Sequence, residues 1–244
     1  MKKSLVAATV AACGLCGAAN AADMYSPAGL KDVPYVAVPT WTGFYIGAHV
    51  GGAWADLQTT DVAGYWAPAG SQWNNTATGV IGGGQLGYNY QTGAFVFGVE
   101  ADFGGLGISH RQSPYARPDL YYSNVDSGFY ADVTGRSGYA AGPALFYVKG
   151  GWAYFDGGLN VTDGTVAPAL SVTKTGVDGW TIGGGIEYKI NPSWGVKGEY
   201  RYFDFGNVSA DLTGLGDTFQ HQLTVNTVTV GVNYYVGNVY SPLK

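Results

Sequence analysis

The sequence predicts an all-β fold: an eight-stranded antiparallel up-and-down transmembrane β-barrel. Three observations carry that expectation. Eight segments alternate apolar and polar residues with period two, the spacing of a strand with unlike faces. The connections between them run long, short, long, short, long, short, long, as in a barrel whose loops grow at one end only. Ten of the eleven charged residues within the segments fall on the parity opposite the apolar set, the exception being Asp204 at the end of the seventh.

The first residues stand apart from this pattern. Lys2 and Lys3 precede a small, apolar stretch, and Ala19-Asn20-Ala21 has the small-residue form of a cleavage site, so 1–21 is expected to be a secretory signal peptide. A lipoprotein reading through Val10-Ala11-Ala12-Cys13 would leave a very short apolar region. Both cysteines, Cys13 and Cys16, fall inside the signal. The mature chain is then expected to be exported and to have no thiol chemistry. Residues 22–40, with Pro27, Pro34 and Pro39 and little periodicity, read as an extended periplasmic lead-in to a barrel over 41–236.

The first strand is expected at about 41–54, with Phe44, Ile46, Ala48, Val50 and Trp54 on even positions. The second, about 78–91, places Val80, Leu86, Tyr88 and Tyr90 likewise, against Gln85 and Asn89. Thr92-Gly93 is a two-residue hairpin signal. The third strand, about 94–106, sets Phe95, Phe97, Val99, Ala101 and Phe103 against Glu100 and Asp102. The fourth, about 129–141, sets Val133, Gly135 and Tyr139 against Asp132 and Arg136, and Gly142-Pro143 turns it into the fifth. That strand, about 145–155, sets Phe146, Val148, Trp152 and Tyr154 against Lys149. The sixth, about 179–190, sets Trp180, Ile182, Ile186 and Tyr188 against Glu187 and Lys189, and ends at the turn 191–193. The seventh, about 194–205, sets Val196, Tyr200 and Tyr202 against Lys197, Glu199 and Arg201; the eighth, about 223–236, ends Val228, Val230, Val232, Tyr234, Val236. The turn lengths carry the apolar parity of each strand onto the same face of the next, as shared burial requires. The four long connections, about 55–77, 107–128, 156–178 and 206–222, are rich in Gly, Asp, Asn, Ser and Pro and read as exposed loops.

Composition says which face is outside. Charged residues make up 12% of the chain and aromatic residues 15%, with 19 Tyr and 40 Gly, whereas an ordinary soluble domain carries about 25% charge. No run of apolar residues is long enough for a membrane helix. A cation facing lipid costs about 2–4 kcal/mol at the midplane. Arg136 and Lys149 are expected near mid-depth, so facing only those two outward would cost on the order of 4–8 kcal/mol, against a typical total stability of about 5–15 kcal/mol. The charged face therefore points inward. An eight-stranded barrel is just wide enough to be filled by side chains. The turn at 142–143 sets Arg136 opposite Lys149, an unfavourable pair that Glu100 and Glu187 can neutralise, and Glu187 also faces Lys197. The expected interior is an ion-paired plug of Glu100, Asp102, Arg136, Lys149, Glu187, Lys197, Glu199 and Arg201, and a filled, balanced lumen argues against a wide pore.

Sharper chemistry finds little support. Without the signal, 10 basic residues face 17 acidic ones, a net charge of −7, which argues against nucleic acid as a partner. Gly82-Gly83-Gly84 and Gly183-Gly184-Gly185 lack the following helix and lysine of a phosphate loop, and suit the tight curvature of a narrow barrel. Three scattered histidines, His49, His110 and His221, make a metal site or cofactor unexpected. Ser109-His110 and His221 lie in or near expected loops, but no base oriented by a third group is visible; they read as solvated loop histidines, and His49 as an interior packing residue. Trp41, Trp54, Trp152, Trp180 and Trp194 fall near strand ends, and interfacial girdles account for them better than a sugar-binding platform.

The phrases WTGFYIGAHVGGAW at 41–54, GRSGYA at 135–140, LFYVKGGWAY at 145–154, GWTIGGGIEY at 179–188, WGVKGEYRYFDFG at 194–206 and VTVGVNYYV at 228–236 resemble the small porin-like outer-membrane barrel proteins of rhizobia and related alphaproteobacteria, an eight-stranded class akin to opacity proteins and the OmpA barrel. The resemblance spans essentially the whole mature chain. It implies a barrel abundant in the outer membrane, monomeric or loosely associated, mainly structural or antigenic, in contact with outer-membrane lipid and lipopolysaccharide. It also implies that Thr229, Gly231, Tyr234 and Val236 form the insertion signal read by the barrel-assembly machinery. Members of that family usually close on an aromatic residue, whereas here a tail, 237–244, follows Val236, a departure that bears on how that signal is read. The resulting expectation is a structural, surface-exposed outer-membrane protein without catalytic activity. A small porin is the alternative, and a loop-mediated adhesin or receptor, or a rim-sited lipid A-modifying enzyme, comes after it.

Overall fold

The structure, a computed structural model, describes residues 40–237 except 66, 109, 113–120, 164–169 and 212–217. The expected signal peptide, almost all of the lead-in and all but the first residue of the tail lie outside the described residues.

Twelve strands occur among the described residues: β1 (Gly43–Asp61), β2 (Ser71–Thr92), β3 (Phe95–Ile108), β4 (His110–Gln112), β5 (Tyr121–Val125), β6 (Gly128–Ala141), β7 (Ala144–Phe155), β8 (Leu159–Asp163), β9 (Leu170–Lys174), β10 (Val177–Lys189), β11 (Trp194–Ala210) and β12 (Phe219–Val236). Eight of them close an antiparallel barrel in the order β1-β2-β3-β6-β7-β10-β11-β12, with β12 pairing back onto β1. Following the register once around, from Phe44 through Tyr88, Val99, Gly135, Gly150, Ile182, Tyr202 and Asn226, returns to β1 at Trp54, ten residues beyond the start. Strand number and stagger together set the barrel's width, and eight strands leave a core that side chains fill.

The short turns are where the alternation places them. Ala141 pairs with Ala144 across Gly142-Pro143. The first hairpin differs in detail: Thr92 pairs with Phe95, so the loop is Gly93-Ala94, one residue later than expected. Gly93 supplies a φ of +60° and Gly142 one of +61°, the conformation that tight hairpins favour. The parity is unchanged, because a slip of one residue in the turn moves the pairing by two.

The long connections are corrected more substantially. Much of what composition assigns to loops is strand. β1 runs seven residues past Trp54 to Asp61, β2 begins at Ser71, β11 reaches Ala210 and β12 begins at Phe219. β4, β5, β8 and β9 continue β3, β6, β7 and β10 upward as a separate four-stranded sheet. Above the barrel the described residues form two four-stranded sheets, β2-β1-β12-β11 and β4-β5-β8-β9. They touch through a small apolar cluster that includes Val161, Ala210 and Phe219.

The pleat reverses its meaning on the way up. In the lower part the outer wall carries Phe44, Ile46, Val50, Val99, Val148, Val196 and Val230, all exposed. In the upper part Asp56, Gln58, Asn74, Gln222 and Thr224 take the outward positions, while Ala55, Leu57, Phe203, Phe205, Leu223 and Val225 are buried inside. The change falls at the level of Trp54, Trp152 and Trp180, which are exposed. Below that girdle the wall suits acyl chains and above it water.

Two expectations for aromatic residues and glycines meet the structure here. Trp41 is fully buried beneath the barrel rather than part of a girdle, because its backbone N–H donates to Gln91 Oε1 at 2.8 Å and brings the indole under Tyr235, 5.8 Å between ring centres. Both triple-glycine phrases lie inside strands. A Cβ on Gly183 would come within 2.7 Å of Arg201 Cγ, so this glycine leaves room for the arginine's stem. On the outside, Gly198 and the Gly135–Gly150 pair dent the apolar wall into shallow grooves of about 830 and 420 Å³.

Candidate functional site

The lumen is the candidate site, and it is stacked in three layers. At the turn end, Trp41, Tyr45, Val96, Leu145, Tyr147 and Tyr235 form a buried cluster. Lys189 seals it: its Nζ donates to the Thr40 carbonyl at 2.6 Å and lies 3.9 Å from the centre of the Tyr235 ring, a cation–π contact.

The middle layer holds the charges. Strand alternation delivers them from five strands to one level, where each is at most a few per cent exposed. Glu100 on β3 takes Lys149 Nζ at 2.5 Å and the Tyr45 hydroxyl at 2.6 Å, with Arg136 Nη1 at 3.6 Å. Arg136 on β6 donates through Nη2 to Glu187 at 2.9 Å and lies 3.9 Å from the centre of the Tyr147 ring. Glu187 on β10 is completed by Asn233 Nδ2 at 2.8 Å and the Tyr235 hydroxyl at 2.7 Å. Glu199 on β11 joins Lys149 Nζ at 3.1 Å, Arg201 Nε at 2.9 Å and the Tyr147 hydroxyl at 2.7 Å. Arg201 also binds Asp132 at 2.6 Å and approaches Asp102 at 3.4 Å. Asp102 accepts the Tyr130 hydroxyl at 2.6 Å, and His49 bridges Tyr130 and Gln85, each at 2.7 Å. Such pairing is what a buried charge needs, but it is not complete: Lys197 Nζ, Arg136 Nε and Asp132 Oδ1 make no hydrogen bond among the described residues.

All eight residues singled out from register stand in this layer, although their partners are not always those that register suggests. Glu187 and Lys197 are neighbours across β10 and β11, but the Glu187 carboxylate turns to Arg136, and Lys197 Nζ lies 3.6 Å from Glu199 and 3.8 Å from Glu100. Sequence reasoning passed over Asp132 as a ligand of Arg201, and the tyrosines 45, 130, 147 and 235. Tyr130 and Tyr147 share the parity of the charged residues on their strands, and Tyr45 and Tyr235 lie on the parity opposite the apolar row of theirs, a signal available in the sequence but masked by the habit of reading tyrosine as a girdle residue. Of the expected insertion signal, Thr229 faces the lumen and is buried, Gly231 is partly buried, and Tyr234 and Val236 lie on the outer wall.

The third layer, toward the loop end, is mainly apolar. Leu57, Ile81, Leu106, Ile108, Phe155, Phe203, Phe205, Leu223 and Val225 belong to one buried cluster. Phe203 and Phe205 stack 6.0 Å apart, and Phe155 lies 5.6 Å from Phe205. The sequence reading made the whole interior polar; in the upper barrel it is apolar, because there the outer face meets water and the pleat has no reason to hide polar groups. His221 sits at this level. It was read as a solvated loop histidine but is 2% exposed, with Nδ1 3.0 Å from Thr59 Oγ1. Burial in this extension above the girdle pushes its pKa down to about 4, so the ring is neutral at ordinary pH. The side chain of His110 lies outside the described residues.

Comparison with known proteins agrees with this architecture. Residues 8–235 match the family described as outer membrane protein beta-barrel domain. The 31 kDa outer-membrane immunogenic protein of Brucella melitensis is 32% identical over 241 residues, covering 95% of this chain and 99% of that protein. The 22 kDa outer membrane protein of Rhizobium leguminosarum is 29% identical over 210 residues, covering 83% of this chain and 81% of that one. Among solved structures, the outer membrane protein OprG of Pseudomonas aeruginosa aligns with a TM-score of 0.47 at 13% identity, covering 79% of this chain and 95% of that chain. With a family match across nearly its whole length and a closed barrel whose lower wall is apolar, the chain belongs to the outer-membrane β-barrel protein family and is an integral protein of the Gram-negative outer membrane.

Proposed function

We propose that the protein is a non-conducting, non-catalytic element of the outer membrane that anchors a rigid, polar, surface-exposed extension. The short turns face the periplasm and the two upper sheets face outward, the usual orientation of such barrels. The lumenal stacking carries this reading. An ion crossing the barrel would meet the Trp41–Lys189 floor, the ion-paired layer and then the aromatic seal around Phe203 and Phe205. Opening any one layer leaves the others closed. The eight charged residues act as a plug that fixes the strand register rather than as a filter, because their carboxylates and cations are already paired with one another. Thr229, Gly231, Tyr234 and Val236 serve as the recognition strand for the barrel-assembly machinery, and the apolar wall is in contact with outer-membrane lipid and lipopolysaccharide. Neither function requires an oligomer.

Planar-bilayer recording tests the reading. Purified, folded protein is expected to show no stepwise conductance in concentrated potassium chloride. Regular channels of defined size, present in the folded protein and absent from a heat-denatured sample, would assign it to the small porins instead.

A further inference from the structure

The outer wall of the upper barrel carries an unusual surface. Across β2, β1, β12 and β11 the register lines up three rungs of outward side chains. The lowest rung is Thr76, Asp56, Thr224 and Asp204; the next is Asn74, Gln58, Gln222 and Asn207; the highest is Gln72, Thr60, Gln220 and Ser209. Ten of these twelve are neutral amides or hydroxyls, two are acids and none is a base. At the centre, Asp56, Gln58, Asn74, Gln222 and Thr224 line a groove of about 260 Å³. Thr76 Oγ1 donates to Asp56 at 3.2 Å, whereas the amides of Gln58, Asn74 and Gln222 make no hydrogen bond among the described residues, Asn74 being exposed and Gln58 and Gln222 half-buried.

We propose that this face binds a neutral oligosaccharide. A ligand for it must offer many hydroxyl groups, because amides both donate and accept and the two carboxylates accept only. It must lack anionic groups, since Asp56 and Asp204 would repel sulfate or phosphate and no basic residue in the array offsets them. Its repeat must match the sheet. Adjacent strands are about 4.8 Å apart, close to the advance per residue of an extended hexose chain, so a glycan laid across the strands meets a fresh column of side chains at each sugar. Position favours a glycan arriving from outside the cell: the array begins immediately above Trp54, on the water-facing part of the wall. The inference goes beyond the structural role and would survive its failure, since a conducting barrel could present the same face.

The test uses full-length folded protein in nanodiscs of synthetic phospholipid. The probes are unsubstituted hexose and N-acetylhexosamine chains of about four to eight units, their sulfated counterparts, and core oligosaccharide released from lipopolysaccharide. Retention of unsubstituted chains over sulfated ones is expected. Retention of the acidic core oligosaccharide alone would overturn the proposal, since two carboxylates and no base face the ligand. The Q58A/Q222A double variant, folded by heat-modifiable migration, should bind at least about tenfold more weakly, since each lost hydrogen bond is worth roughly a factor of a few to ten. Thr162→Ala on the opposite sheet should change nothing. Q58K/Q222K should shift preference toward sulfated chains, which a merely structural role would not produce. No retained glycan, a wild-type preference for sulfated chains, an unaffected double variant, or a stable dimer that buries Gln58 and Gln222 would each overturn the proposal.

Discussion

An Arg201→Leu variant is expected to lose about 3–5 kcal/mol of stability, the cost of removing one partner from a buried ionic network. Arg201 is the only cation within hydrogen-bonding distance of Asp132 among the described residues, at 2.6 Å, and it also holds Glu199 at 2.9 Å and approaches Asp102 at 3.4 Å. Leucine fills much of the space but leaves those carboxylates facing one another in a medium of low dielectric. The arginine's own desolvation is recovered, yet the carboxylates' desolvation is not. Adding Asp132→Asn removes one of the stranded charges, so the double variant should be more stable than Arg201→Leu alone, as expected for coupled neighbours. Thermal unfolding followed by the loss of heat-modifiable migration reads both changes. Equal stability of wild type and Arg201→Leu would mean that the middle layer is hydrated and loosely paired.

The second large effect comes from one step along a strand. Val148 is 63% exposed on the outer wall, and its neighbour Lys149 is buried in the lumen with its Nζ on Glu100 and Glu199. Val148→Arg should cost about 2–4 kcal/mol in lipid, the penalty for a cation near the midplane of a barrel's outer wall, falling to about 0–1 kcal/mol near the interfaces. Tyr154→Arg supplies that comparison. It is also outward-facing but lies near Asp156 and Asp178, so it should be nearly neutral. Urea unfolding in phospholipid vesicles measures the pair. Similar costs at both positions would argue that depth, and hence the placement of the girdle, has been misassigned.

Much of the lower barrel was legible in the sequence because lipid imposes a one-sided rule. A charged residue such as Arg136 or Glu199 has only one permissible face, so alternation and turn parity determine the pleat together. The upper barrel obeys a different rule, and much of it, 55–61, 71–77, 206–210 and 219–222, was read as loop. Its strands carry Asp56, Gln58, Asn74 and Gln222, residue types that also favour turns, and Leu57, Phe203 and Phe205 fall on the parity that lower down belongs to charge. A period-two pattern whose meaning reverses halfway looks like the end of a strand unless the two solvents are considered separately. Within the lumen, register brought Glu187 to Lys197 correctly, but the choice of Arg136 as the Glu187 partner depends on side-chain reach and on the hydroxyl of Tyr235 and amide of Asn233, which spacing alone does not encode. The burial of His221 was missed because it falls in a stretch read as loop, whereas Trp41 lies in the expected first strand on the same odd parity as the buried Tyr45 and His49 and was assigned to a girdle by residue type alone.

Site-directed spin labelling in phospholipid vesicles tests the orientation of the pleat, on which the whole account depends. Labels at Phe97, Val148 and Val230 should relax with lipid-dissolved oxygen and be shielded from a water-soluble nickel chelate, a label at Gln58 should show the opposite, and one at Phe203 should be sheltered from both. Labels at Phe97, Val148 and Val230 that are sheltered from oxygen and lipid alike, in protein that stays folded in plain buffer, would place the apolar row inside and contradict it.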